Sequence, residues 1–183
     1  MKASERNRVA IVTGSARRIG RSIVERLHER GLDVLIHCNG STDEAVALQR
    51  ELEQARSGSA RWVQADLSNA AAGETIVSAA IEAFGRIDVL VNNASTFFPT
   101  PVGDIDEADW DRLIHINQRA PLRLSLAAAR HMKAGSAIVN LVDIHGQVPL
   151  RNHVIYSQAK AGLIMQTRAL AKDLAPSIRV NGV

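Results

Sequence analysis

Near the start of this 183-residue chain, a short run of strand type, Arg8-Val9-Ala10-Ile11-Val12, passes directly into Thr13-Gly14-Ser15-Ala16-Arg17-Arg18-Ile19-Gly20. A helical pattern follows, with Ile19, Ile23, Val24 and Leu27 on one face and Gly31 as a stop signal. Strand, glycine-bearing turn and helix in immediate succession leave few folds open. Gly14 permits a tight turn, and Gly20 allows close approach of the helix. The helix N-terminus offers unpaired N–H groups and a positive dipole end to a pyrophosphate. Taken alone, the segment also reads as an ordinary strand-to-helix turn, so the rest of the chain has to decide.

The pattern recurs along the chain. Strands are expected near Val9–Val12, Val34–His37, Arg61–Gln64, Val89–Val91, Ala137–Leu141 and Ile178–Val180. Helices are expected over Arg18–Arg30, Asp43–Ala55, Ala70–Phe84, Glu107–Met132 and Tyr156–Leu174, with Pro121 bending the fourth or separating its first part. This βαβ alternation predicts an α/β domain, a parallel sheet covered by helices on both faces. No linker or repeat interrupts it. Apolar residues make up 46% and charged residues 22%, as in a soluble globular protein. The net charge of +3 comes from scattered side chains such as Arg50, Arg86, Arg123 and Arg168, which argues against a nucleic-acid partner. No apolar run approaches the roughly 18 residues of a membrane span. The N-terminal stretch 1–8 has no apolar segment of the secretory kind, and the lone Cys38 fits a reducing, cytoplasmic setting.

The strongest chemical signal lies near the other end. Tyr156 and Lys160 are four residues apart, on one face of a helix, and Asp143 precedes Tyr156 by thirteen. A phenol is a poor acid at neutral pH, with an ordinary pKa of about 10. A neighbouring ammonium stabilises the phenolate, so Lys160 is expected to lower that pKa and make Tyr156 a general acid. Asp143 would need a raised pKa to donate a proton itself; its other reading is a structural hydrogen bond at a strand end.

Together these residues resemble the short-chain dehydrogenase/reductase family over essentially the whole chain. Four landmarks match in order: Thr13-Gly14-x-x-x-Arg18-x-Gly20, Asn92-Asn93-Ala94, Asn117 and Tyr156-x-x-x-Lys160. The closing Ile178-Arg179-Val180-Asn181-Gly182-Val183 looks like that family's sixth strand. Arg18 in place of the usual glycine, Asp143 in place of the usual serine, and Asn93-Ala94-Ser95-Thr96-Phe97-Phe98-Pro99-Thr100-Pro101 resemble the pteridine reductase branch. The resemblance implies a Rossmann-type doubly wound parallel sheet with about six strands present. It implies a single NADP-binding domain over 1–183, C-terminally truncated, which lacks the family's substrate-covering segment and last strand. It also implies an NADPH-dependent reduction of a pterin-like small molecule.

The site follows residue by residue from the same resemblance. Gly14, Arg17, Arg18, Ile19 and Gly20 would hold the pyrophosphate end of the cofactor. His37, Asn39 and Ser41 would meet the adenosine ribose, with Arg17 reaching a 2′-phosphate. No acid stands there until Asp43, so NADPH is favoured over NADH. Strand-end packing is the alternative for His37. Asp66 and Leu67 would meet the adenine, although Asp66 also reads as a helix cap. Asn93, Ala94 and Ser95 would line the cofactor's other wall. Lys160 would bond the nicotinamide ribose, and Asn117 would hold a water linking Lys160 to solvent. Tyr156 and Asp143 would carry the substrate's proton. Arg18 and Ser95 would meet the substrate's polar edge, and Phe97 would stack on its flat ring unless it plugs the local core. His131, His145 and His153 lack metal-ligand spacing and read as surface or loop residues.

Self-association, as a homotetramer by resemblance, is expected through apolar surface that includes Leu122, Leu126, Leu163, Met165 and Leu170. Two other functions compete with pterin reduction. One is a ketone reductase of the same fold, such as a 3-oxoacyl-thioester reductase. The other is a non-catalytic NADP-binding interaction protein.

Overall fold

The structure, a computed structural model, describes residues 7–183; the polar N-terminal stretch up to Arg6 lies outside the described residues. Six strands form one parallel sheet: β1 Val9–Val12, β2 Asp33–Cys38, β3 Ala60–Gln64, β4 Ile87–Asn92, β5 Met132–Asn140 and β6 Ile178–Gly182. Their order is β3-β2-β1-β4-β5-β6, and every pairing is parallel. The order reverses between β1 and β4, where Ile11 pairs with Leu35 on one side and Leu90 on the other. That reversal opens a crevice at the carboxyl ends of the strands, the place where such sheets bind ligands.

The helices are α1 Arg18–Glu29, α2 Thr42–Ala55, α3 Ala72–Phe84, α4 Glu107–Ile114, α5 Ala120–Ala129 and α6 Val154–Asp173. Helices cover both faces, so the strands are apolar on both sides. In β1, Ala10 and Val12 pack with Val24 of α1 and Leu48 of α2, whereas Val9 and Ile11 pack with Ile76 of α3 and Leu124 of α5. This period-two division between two cores is the reason for the unbroken apolar run. Each large aliphatic side chain fully buried here contributes about 1.5–3 kcal/mol. Cutting back a central one such as Leu90 would remove packing from both neighbouring strands.

The long helix expected over Glu107–Met132 is three pieces. After α4, a π-helical stretch over His115–Arg119 precedes α5, whose second residue is Pro121. Pro121 has no N–H for the carbonyl of Asn117, so the ordinary ladder fails one turn earlier and the backbone widens there. The helix also stops at Ala129, and Met132 opens β5 instead. Gly135 lies in that strand at φ +93°, a conformation that suits glycine. The third helix begins at Ala72 rather than Ala70 because Asn69 first accepts a turn hydrogen bond from the Ala71 N–H. Of the side chains expected on an outer apolar face, Leu126 and Met165 are exposed. Leu122 is partly buried, and Leu163 and Leu170 belong to the interior. A 20-residue helix carries several stripes, and sequence spacing alone assigned these two to the wrong one.

Candidate active site

The turn between β1 and α1 is held by polar side chains rather than by apolar packing. Gly14 takes φ +60°, and its N–H donates to Nδ1 of His37 at 3.0 Å. The other ring nitrogen, Nε2, donates to the Ala65 carbonyl at 3.0 Å. Both imidazole nitrogens therefore bind main chain, and burial lowers the His37 pKa, so the ring is a neutral brace between β1, β2 and β3. This corrects the expectation that His37 has a hydrogen bond to offer the ribose. Thr13 adds a second brace, its Oγ1 accepting from the N–H groups of Asn93 and Ala94 at 3.0 Å each. Asn93 Nδ2 in turn donates to the carbonyls of Thr13 and Gly14 at 2.8 and 2.9 Å. The ends of β1 and β4 are thus stitched together at the crevice.

A groove of about 410 Å³ opens above this stitching. Gly14, Arg17, Arg18, Ile19 and Gly20 form its floor, at the start of α1. His37, Asn39 and Ser41 form one end, and Asp66 and Leu67 a side. Asn93, Ala94 and Ser95 form the opposite wall. Ala16, Cys38, Gly40 and Ile116 complete the lining; Ile116 rides on the π-helical stretch and carries no signal in the sequence. Arg17 caps α1 without a side-chain hydrogen bond, so the first amides of that helix gain no side-chain cap from it. Such amides beside two arginines suit the diphosphate of a dinucleotide. Arg18 stands at φ +55°, a left-handed conformation that costs a side-chain-bearing residue roughly 1–2 kcal/mol. Glycine would sit there without strain, so the arginine side chain is kept at a conformational cost. Asp66 Oδ1 accepts from the Ser68 N–H at 2.9 Å, which lowers its pKa and shapes the turn before α3.

Beyond Ser95 the catalytic candidates converge. Tyr156 donates its hydroxyl hydrogen to Asp143 Oδ2 at 2.7 Å. The other carboxylate oxygen accepts from the His145 N–H at 2.9 Å, as Asp143 caps a short 3₁₀ turn. Lys160 is buried, donates from Nζ to the Leu141 carbonyl at 2.9 Å, and lies 5.7 Å from the centre of the Tyr156 ring. The electrostatics reverse two expectations. Burial, the Asp143 hydrogen bond and the Asp143 charge all push the Tyr156 pKa up, with the Ser95 hydroxyl working the other way. Burial would raise Asp143, but the hydrogen bonds from His145 and Tyr156 and the charge of Lys160 together hold it below the usual carboxylate value. Burial lowers the Lys160 pKa, opposed by Asp143. Burial first, and the hydrogen-bonded carboxylate with it, keep the proton on the phenol.

Asn117 is buried in the π-helical stretch, and both ends of its amide engage the loop after β4. Its Oδ1 accepts from Ser95 Oγ at 2.7 Å and from the Thr96 N–H at 3.1 Å, while Nδ2 donates to the Thr96 carbonyl at 2.9 Å. The side chain thus fixes that loop. Behind it, Asn92 Nδ2 donates to Ser125 Oγ and to Asn140 Oδ1, and Asn140 Nδ2 donates to Thr167 Oγ1. These buried polar groups lock β4 and β5 to α5 and α6, a satisfied network that positions the site from below.

Phe97 is 56% exposed, so it does not plug the core. Its ring meets Tyr156 in a T-shaped contact with centroids 4.8 Å apart. It also stacks nearly parallel on His153, at 4.5 Å and 12°. His153 was expected to be a plain loop residue. Its offset of three from Tyr156 was the signal available in the sequence, and the bridge pairing it with Thr100 is what brings it to Phe97. Among the described residues no cluster of three His, Cys, Asp or Glu side chains could hold a metal, and no helix is long and apolar enough to cross a membrane.

Comparison with known proteins agrees with this architecture. Residues 8–183 match the family model described as short chain dehydrogenase. The chain is 38% identical over 215 aligned positions to pteridine reductase 1 of Leishmania tarentolae, covering 96% of this chain and 74% of that protein. It is also 38% identical over 182 positions to a cis-4-hydroxycyclohexanecarboxylate dehydrogenase of Sinomonas cyclohexanicum, covering 96% and 71%. With a crossover at the β1–β4 crevice, a glycine turn beneath it and a match along nearly its whole length, this chain is an oxidoreductase of the short-chain dehydrogenase family.

Proposed function

We propose that the protein is an NADPH-dependent reductase of a pterin-like substrate. The observation that carries this reading is the 2.7 Å hydrogen bond from Tyr156 to Asp143, with the exposed Phe97 ring set against the same tyrosine. A ketone needs one proton donor at its oxygen. A C=N bond in a flat ring needs a donor at nitrogen and a surface that holds the ring flat, and Tyr156 with Phe97 supplies both.

The nicotinamide of bound NADPH supplies the hydride to the ring carbon. The chain's own residues handle position and proton. The amides at the start of α1, with Arg17 and Arg18, would hold the diphosphate, and Ser41 and Arg17 would meet the 2′-phosphate. Lys160, which donates to the Leu141 carbonyl, would be the group to bond the nicotinamide ribose. The Tyr156 hydroxyl is protonated at neutral pH because burial and Asp143 hold its proton. A substrate nitrogen arriving beside it competes with Asp143 for that proton. The phenolic O–H bond breaks, the N–H bond forms, and Lys160 stabilises the phenolate that remains. Asp143, charged throughout the neutral range, orients the hydroxyl and favours its reprotonation. A reducing cytoplasm suits the free, buried Cys38 thiol. Pairing of copies through the exposed Leu126 and Met165 on α5 and α6 belongs to the same proposal.

The test is NADPH oxidation by the purified protein with 7,8-dihydrobiopterin beside a 3-oxoacyl thioester. Turnover of the pterin alone supports the assignment. Turnover of the thioester alone keeps Tyr156 and Lys160 but removes the pterin roles of Asp143 and Phe97. Cofactor binding without turnover of either would point to an interaction protein.

A further inference from the structure

We propose that Glu44 tunes cofactor preference by competing with the adenosine 2′-phosphate for the guanidinium of Arg17. The inference rests on the NADPH reading above and assigns it a counterweight. Arg17 and Arg18 are the only cationic side chains lining the groove among the described residues. Arg17 lines the groove at the start of α1, and Glu44, in the first turn of α2, stands behind it, outside the lining residues. Arg17 Nη1 lies 4.0 Å from Glu44 Oε1, with the side chains 67% and 48% exposed. An exposed pair at that separation contributes little to stability, so structural clamping does not account for it. Neither side chain has a hydrogen-bonding partner among the described residues, so both are free to answer to a ligand.

The charge of Glu44 also reaches the groove wall. Cys38 lines the groove, and its thiol pKa is raised by burial first and by Glu44 second. Ser41, between that wall and α2, makes no side-chain cap hydrogen bond, so its hydroxyl is unused by the helix it precedes. A 2′-phosphate placed against Ser41 and Arg17 gains one cation but meets a carboxylate already beside it. The free 2′-hydroxyl of NADH meets the same carboxylate as a hydrogen-bond acceptor. Glu44 thus works against NADPH and for NADH, and the balance with Arg17 sets the ratio. A phosphate carries about −1.5 to −2 charges at neutral pH. Repulsion between that charge and a carboxylate beside Arg17, in a water-like dielectric, then corresponds to roughly a three- to tenfold effect on binding.

Fluorescence titration of NADPH, NADH, 2′,5′-ADP and 5′-AMP with the unaltered protein, Glu44→Gln, Glu44→Ala and Arg17→Gln separates the cases. Both Glu44 variants are expected to bind NADPH and 2′,5′-ADP about three- to tenfold tighter, with NADH and 5′-AMP unchanged or weaker. The gain should shrink at high salt. If Arg17→Gln abolishes the preference for the 2′-phosphate while the Glu44 variants keep the original ratio, the role of Glu44 is wrong and the NADPH reading stands. Weaker NADPH binding in both Glu44 variants would make the carboxylate a positioning partner of Arg17 and overturn the proposal. If the unaltered protein does not prefer NADPH and Arg17→Gln changes nothing, the NADPH reading itself fails.

Discussion

Replacing Asp143 with Ser should make the phenol of Tyr156 a stronger acid, and this chain allows a direct reading because Tyr156 is its single tyrosine. In the native protein three influences hold the proton on the ring: burial, the 2.7 Å hydrogen bond to Asp143 and the negative charge behind it. A hydrogen bond to a charged group is worth about 1.5–3 kcal/mol. Serine removes the bond and the charge but leaves the burial. Titration followed by tyrosinate absorbance should therefore give a native curve above the free phenol value of about 10. The Asp143→Ser curve should lie at lower pH. The same logic fixes the sign for stability. A raised folded pKa contributes stability fully present below the free value and lost as pH rises through the folded one, so alkaline unfolding should lose this component in the variant. The Asp143 carboxylate, held low, contributes stability that is present above its free value of about 3.9 and lost as pH falls through the folded pKa. A Tyr156 titration unmoved by the substitution would refute the claim that Asp143 helps keep the proton on the phenol.

Three further outcomes follow from named contacts. Tyr156→Phe keeps the ring and its packing but removes the proton donor, so kcat should fall by about 10²–10⁴ with NADPH affinity retained in titrations; retained kcat would assign the proton elsewhere. Gly20→Ala places a methyl against the Gly14 carbonyl oxygen, 2.6 Å from Asn93 Nδ2 and 2.7 Å from Ser15 Cα, which are parts of the braced turn. Overpacking of this kind costs about 1–3 kcal/mol, a fall of very roughly 2–12 °C in Tm, and cofactor affinity should drop with it; a native Tm and native affinity would mean the turn is not rigid. Asn117→Ala leaves the half-buried Thr96 N–H and carbonyl without their partner, at up to about 1 kcal/mol for each bond lost. Denaturant unfolding should show the loss, and KM for the substrate should rise as the loop carrying Ser95 and Phe97 loosens.

The sequence by itself determined the parallel sheet, the number of strands and the helices between them other than the broken one before β5, because period-two burial on two faces and glycine punctuation are local properties. It also placed the glycine turn at the N-terminus of α1, since Gly14 and Gly20 answer to backbone geometry within a few residues. The proton arithmetic was decided elsewhere. Spacing along α6 puts Lys160 near Tyr156, but only the fold brings the end of β5 close enough for Asp143 to outweigh it. His37 looked like a ligand group until the turn after β3 supplied the Ala65 carbonyl that occupies its second nitrogen. Asn117 reads as a mid-helix amide, yet Pro121 opens a π-helical stretch there, and the loop after β4 folds onto it. The pairing of Phe97 with His153 joins residues 56 positions apart, and no periodicity reaches that far. Local pattern fixes which elements form and which faces they bury. Hydrogen-bond partners and pKa shifts depend on distances of a few ångströms between segments remote in sequence, and those are set only when the sheet closes and the helices pack on it.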